Sequence, residues 1–316
     1  MTTTNGQQFE ITCGPTRAVV NEVGAGLRVC ESASVPLVES YPADQPPPMG
    51  AGAILLPWPN RVDAGCWEWN GAPQQLAVTE PERDNAIHGL VRELTWQRIA
   101  GDSASVTLEA RIEAQAGWPV PLQTTVRYTV DEVGLEVTHT VANAGDQAVP
   151  FGLGVHPYVR AGHAALDACV LRLAASTVQP VEPERQLPAG PPAPVDGTDL
   201  DFRSGRPMAG VELDLPFGGC IPSPDPTDPT DPAGPGDGRE RVRHTLTGPG
   251  GGIEIWADPV CSWVQVFTSA AFPGRDRVIA VEPTTCPPNA LRSGTDLITL
   301  EPEATWSASW GLRPLT

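Results

Sequence analysis

Apolar and polar residues alternate with period two over long stretches of the chain. Val106, Leu108, Ala110 and Ile112 alternate with polar or charged neighbours, as do Thr124, Val126, Tyr128 and Val130, and then Leu135, Val137, His139 and Val141. Such alternation sends one row of side chains into a core and the other towards solvent, which is the signature of a half-buried strand. Asp131–Gly134 reads as the turn between the second and third of these segments. Trp67-Glu68-Trp69 runs into Asn70-Gly71, a dipeptide that accepts the left-handed backbone of a two-residue hairpin turn. Four more strands are expected at Ile253–Trp256, Ser262–Phe267, Val278–Val281 and Ala304–Trp310. Helical periodicity is confined to a short stretch, Pro288–Ser293. The expected fold is all-β, a large antiparallel β-sandwich.

The 36 prolines and 32 glycines among 316 residues strengthen that expectation. Proline in a helix interior removes a hydrogen bond and clashes with the preceding turn, so a helical bundle is excluded. Tyr41–Gly50 and Gln179–Asp201 are proline-rich connections, and 222–238 is an acidic segment that repeats Thr-Asp-Pro. The remainder, Glu240–Thr316, holds only about four strands, too few for a separate sandwich. Residues 1–316 are therefore expected to form one domain, interrupted by an insert at about 222–238.

Charge narrows the partners. Acidic residues outnumber basic ones by 38 to 20, and every basic residue is arginine. A net charge of −18 opposes nucleic acid and anionic membrane surfaces, which bind through basic patches. The lack of lysine excludes Schiff-base chemistry, a pyridoxal phosphate anchor and a phosphate-loop lysine. Seven scattered cysteines without a C-x-x-C pair suggest neither a disulfide framework nor a zinc site. The polar Met1–Glu10 lacks the apolar stretch of an export signal, and no run of 18 apolar residues occurs, so a cytoplasmic location is expected.

Candidate chemistry falls to a few residues. His88, in Asn85-Ala86-Ile87-His88-Gly89, and His156, in Gly154-Val155-His156-Pro157-Tyr158, stand at breaks beside strands. His139 occupies an apolar register and reads as a core histidine, whereas His163 and His244 lie in polar surroundings and read as exposed. Glu282 ends the apolar run Val278–Val281, where a carboxyl must pair, titrate or act. Its structural alternative is an ion pair with Arg275 or Arg277. Arg61 follows Leu56-Pro57-Trp58-Pro59-Asn60, where two prolines stiffen the backbone behind a guanidinium. Asp214 alternates against apolar neighbours like a surface residue. Trp58, Trp96, Trp118, Trp256 and Trp263 could form a stacking platform or simply core. Histidines, carboxylates and an arginine on a β scaffold suit proton transfer on a hydroxyl-rich small molecule, with no cofactor and no metal.

Four segments together resemble one family. Leu56-Pro-Trp-Pro-Asn-Arg61, Asn85-Ala-Ile-His-Gly89, Gly154-Val-His-Pro-Tyr158 and Val281-Glu-Pro-Thr-Thr285 are similar, in order and spacing, to the signatures of aldose 1-epimerases (galactose mutarotase-like proteins). The resemblance implies a β-supersandwich that interconverts the α and β anomers of a hexose such as glucose or galactose. It further implies His156 as general acid and Glu282 as general base, with Arg61, His88 and Asp214 binding the sugar. Asp214 matches less closely, because Leu215–Cys220 departs from the family pattern. Tyr158 stands where the family often has tyrosine. The partner so implied is a small-molecule aldose, acted on by a monomer or homodimer. A hexose 6-phosphate mutarotase, for which Arg92, Arg275 or Arg277 could supply local positive charge, and a non-catalytic sugar-binding module are the alternatives.

Overall fold

A computed structural model describes residues 4–223 and 240–315. The acidic segment expected as an insert lies outside the described residues apart from Pro222 and Ser223. Among the described residues the strands form two large antiparallel sheets, of nine and eight strands, flanked by a four-stranded sheet from the N-terminal region and three two-stranded pairs.

The three alternating segments become neighbouring strands, Ser105–Ile112, Leu122–Val130 and Leu135–Asn143, which Thr305–Leu315 then joins within the nine-stranded sheet. Their register explains the alternation. Leu108 lies opposite Val126, Val126 opposite His139 and His139 opposite Ala308, forming one row of buried side chains across the sheet. His139 is a core histidine, and its Nε2 accepts a 3.1 Å hydrogen bond from the Trp310 indole. The Trp67 hairpin forms as Cys66–Trp69 and Ala72–Gln75, with Asn70 and Gly71 at φ 50° and 73° in the turn. The one α-helix among the described residues is a single turn, Ala290–Ser293. No helix among those residues is long and apolar enough to cross a membrane.

The eight-stranded sheet carries Asp214–Cys220, Trp263–Ser269 and Val278–Thr284 side by side. Val264, Val266, Ile279 and Val281 join the same buried cluster as Val126, Val137, Ile255 and Leu312 of the nine-stranded sheet. The two sheets thus share a core, as in a sandwich. All seven residues of Val278–Thr284 are buried, so this strand is covered on both faces. Val278 and Ala280, on the face turned away from the main core, pack with Tyr41, Tyr158 and Phe272.

One expectation needs correction. His244 is fully buried, because Val242, His244 and Leu246 form the inward row of their strand. Arg241 and Arg243 beside it made the segment look polar. Its Nδ1 accepts from the Ala174 amide at 3.2 Å, and burial pushes the imidazole down to about 3. The five tryptophans read as either a stacking platform or core are at most 6% exposed, which is the core reading. They fill the interior, as large apolar side chains commonly do.

Ser223 and Arg241 exchange both backbone hydrogen bonds, at 2.9 and 3.1 Å, so the chain leaves and rejoins the described body at one antiparallel pair. Replacing 224–239 with a short Gly-Ser link should therefore preserve a single cooperative thermal transition within a few degrees of the parent. Loss of cooperativity would show that the segment is needed to hold the body together.

Candidate active site

Antiparallel register alone assembles one wall of a cavity. Asp214 pairs with Phe267, and Gln265 pairs with Glu282 on the next strand. Directly paired residues share a face, as do residues two apart on one strand. Asp214, Phe267, Gln265 and Glu282 must therefore all project from the face turned away from the main core. They line a cavity of about 480 Å³. His156 enters from the connection between Gly154–Val155 and Tyr158–Val159, two short strands that both pair with the Glu282 strand.

The opposite wall comes from two interlocked loops. The His88 amide donates to the Asn60 carbonyl at 3.0 Å, and the Asn60 amide donates to His88 Nδ1 at 3.2 Å. His88 adopts a left-handed backbone, φ 63°, a conformation that costs a non-glycine residue about 1–3 kcal/mol. Gly89 follows at φ 72°, where a β-carbon would meet the Leu56 carbonyl oxygen at 2.1 Å. The Asn60 side chain continues the network. Its Oδ1 accepts from the Arg61 amide at 2.9 Å and its Nδ2 donates to Gln265 Oε1 at 3.2 Å. Gln265 Nε2 in turn donates to Asp214 Oδ1 at 2.8 Å.

Arg61 is anchored by Glu80. Its Nε and Nη2 donate to the two carboxylate oxygens at 2.7 and 2.9 Å, and both side chains are less than one-tenth exposed. This fork-on-fork geometry fixes the guanidinium plane. Burial alone would raise Glu80, but the Arg61 hydrogen bonds prevail and hold its carboxyl below the ordinary range.

At the centre, His156 Nε2 lies 3.4 Å from Glu282 Oε1, both side chains being almost wholly buried. His156 stacks on Tyr158, centroids 5.1 Å apart, and meets His88 edge-on at 5.5 Å. Tyr158 donates its hydroxyl to the Met49 carbonyl at 3.3 Å. Burial pushes His156 down to about 4, helped by the nearby Arg92 cation. Burial, with the Asp214 charge adding to it, holds Glu282 well above the ordinary carboxyl range. His88 is lowered well below its usual value by burial and by His156. Because His88 Nδ1 accepts a backbone hydrogen bond, its neutral ring carries the proton on Nε2. Asp214 is raised by burial, against the attraction of Arg61.

Arg61, His88, His156, Asp214 and Glu282 therefore line one cavity. Asp214 is half-buried rather than a surface residue, since its strand edge faces the cavity. Glu282 pairs with neither arginine considered for it. Arg275 binds Glu39 at 3.0 Å, and Arg277 binds Asp167 and the Val211 carbonyl. Sequence reasoning missed Glu80 and Gln265. Gln265 was detectable as the polar break in Trp263-Val264-Gln265-Val266-Phe267. Glu80 sits in a polar loop, Thr79–Arg83, whose pattern does not distinguish it from Glu82.

Comparison with known proteins places the chain in a family. The family model for aldose 1-epimerase matches residues 7–313. An uncharacterized protein of Escherichia coli K12, YihR, is 31% identical over 303 residues, covering 94% of this chain and 90% of its own. Human galactose mutarotase is 30% identical over 159 residues, 48% of this chain and 45% of that protein. In fold, the chain is similar to a galactose mutarotase-like protein from Clostridium acetobutylicum, with a TM-score of 0.81 at 16% identity over 96% and 94% of the two chains. It is also similar to an aldose epimerase homologue from C. elegans, with a TM-score of 0.79 at 17% identity over 98% of each. The chain belongs to the aldose 1-epimerase family. Its architecture is that of the galactose mutarotase-like proteins, nearly all β with antiparallel sheets.

The Arg61–Glu80 pair offers a direct check. Removing one partner of a buried ion pair leaves an uncompensated charge and costs about 3 kcal/mol or more. Glu80→Gln should lower unfolding free energy in urea by about that amount. A change below about 1 kcal/mol, the range of exposed pairs, would show that the pair is effectively solvated.

Proposed function

We propose that the protein is an aldose 1-epimerase that interconverts the α and β anomers of a hexose by general acid–base ring opening. The observation that carries this reading is the His156–Glu282 pair, 3.4 Å apart and buried at the centre of a cavity lined by Arg61, His88 and Asp214. Anomer exchange requires a proton to leave the C1 hydroxyl while another reaches the ring oxygen. Both oxygens are bonded to C1, so an acid and a base set side by side can serve one each. Glu282 takes the hydroxyl proton and His156 protonates the ring oxygen. The ring opens to the aldehyde, C1 turns about its bond to C2, and reclosure runs the transfers backwards. The His88 Nε2–H and Arg61 donate to sugar oxygens while Asp214 accepts from a hydroxyl, holding the remaining ring atoms still.

The ordinary carboxyl and imidazole values would leave glutamate ionised and histidine protonated over a narrow interval. Burial inverts that order here, lowering His156 to about 4 and raising Glu282. Between the two, the pair binds one proton in total. A neutral imidazole beside a carboxylic acid and an imidazolium beside a carboxylate are two arrangements of that same proton. The catalytic arrangement thus lies one proton hop from the resting one. A sugar-binding module would have no use for such a pair buried against the reacting carbon. Specific support for an epimerase over a binder is the inward placement of both groups, which burial makes costly.

His156→Asn and Glu282→Gln should each lower kcat by roughly 10²-fold or more in anomer-exchange NMR, with sugar affinity changing far less. The double variant should be little worse than the poorer single one, as for groups that act as a unit. Multiplicative losses would refute the dyad.

The pH profile gives an independent check. Below about 4 His156 takes a second proton and no base remains; above the raised Glu282 value the shared proton is lost and no acid remains. kcat/KM for the free enzyme should hold its plateau well below the ordinary imidazole value of about 6.5, with the acid limb near that of His156. An acid limb at the ordinary histidine value would contradict this assignment.

A further inference from the structure

We propose that the preferred sugar carries an anionic substituent on the carbon beyond its ring oxygen, and that Arg92 is the residue that selects it. This rests on the epimerase reading above, and specifically on His156 addressing the ring oxygen.

Three arginines line the cavity among the described residues: Arg61, Arg83 and Arg92. Arg61 and Arg83 both bind Glu80. Arg92 forms no ion pair among the described residues. Its Nη2 donates to the Ile87 carbonyl at 3.3 Å, and its buried Nε has no hydrogen-bond partner there. In a chain with 38 acidic and 20 basic residues, an arginine beside an active-site cavity that forms no ion pair among the described residues is a placed charge rather than a surplus one. The neighbouring Glu93 attracts Arg92 electrostatically but forms no salt bridge with it.

Arg92 also stands at a junction. A second hollow of about 360 Å³, walled by Asn5, Gly24, Pro46 and Pro47, adjoins the main cavity, and the two share only Arg92 and Gly50 as lining residues. Gly50 marks where that junction meets the chemistry. A β-carbon there would stand 3.6 Å from His156 Cδ2 and 3.9 Å from Nε2. The way into the second hollow therefore begins beside the imidazole.

Sugar connectivity supplies the remaining step. The ring oxygen joins C1 to C5, so a sugar whose ring oxygen faces His156 turns its C5 substituent past the imidazole. That direction leads to Gly50 and Arg92. A carboxylate or phosphate at this position would accept from the Arg92 guanidinium, the group best suited to planar oxyanions. Of the cavity's other charged groups, Arg61 and Arg83 are tied to Glu80, and Glu82 and Asp214 are acidic, so the anion must be received locally rather than by the overall field. A bound anion would also offset the Arg92 charge that depresses His156 and so assist protonation of the acid.

The test compares glucose, glucuronate and glucose 6-phosphate by anomer-exchange NMR with the full-length protein. At least one anionic sugar should exceed glucose in kcat/KM by tenfold or more, and the better of the two names the oxyanion. That ratio should shrink with added salt and fall at least tenfold in Arg92→Gln, with Arg92→Lys intermediate. A ratio unchanged in Arg92→Gln would overturn the role of Arg92. Glucose equal to or better than both anions would overturn the inference and leave the epimerase reading intact; no acceleration of any of the three would overturn that reading itself. Should Arg92→Gln fail to fold, methyl glucuronoside and methyl glucoside, which cannot open, serve as inhibitors of the parent protein. Tighter inhibition by the glucuronoside supports the proposal, and equal inhibition refutes it.

Discussion

The site depends on one constraint: a carboxyl carried by a strand that is covered on both faces. Val278–Thr284 is buried along its whole length, with Ile279 and Val281 in the shared core and Val278 and Ala280 under Tyr158 and Phe272. Glu282 therefore has almost no water to solvate its charge, and its close titratable partner is His156 at 3.4 Å. Ionising either group alone is expensive, whereas moving one proton between them is not. The unusual protonation behaviour of the pair arises from packing around a strand rather than from a special loop.

A second layer holds the cavity-facing groups to this strand. Asp214, Gln265 and Asn60 form a hydrogen-bonded path from the sheet to the loop that bears Arg61 and receives His88. The sheet sets the carboxyls and the loops set the donors, so a shift of the Asn60 loop would move Arg61 and His88 together. Glu80 finishes the task by fixing the guanidinium plane. Preorganisation of this kind spares a bound ligand the cost of ordering side chains.

Much of this was legible in the chain itself. Period-two alternation located the central strands of the nine-stranded sheet, because those strands have one covered face and one wet face. The apolar run before Glu282 identified a doubly covered strand for the converse reason. His244 was misread since Arg241 and Arg243 just before it masked the inward row formed with Val242 and Leu246. Glu80 and Gln265 were harder. Their roles come from contacts between segments 19 and 205 residues apart, to Arg61 and Asn60 respectively, and no local pattern encodes such distances. Asp214 shows the limit of alternation most clearly: the face that reads as solvent is here the floor of a cavity.

The arginine-only composition acquires a chemical meaning inside that cavity. Its cations, Arg61, Arg83 and Arg92 among the described residues, are all guanidinium groups. An aldose opened to its aldehyde would be an electrophile held at close quarters with positively charged side chains. A lysine there could shed its proton on burial and condense with the carbonyl, trapping the sugar as an imine. Guanidinium stays protonated at any physiological pH and has no free amine to offer. An aldehyde formed in this cavity would meet cations without meeting a lysine amine that could condense with it.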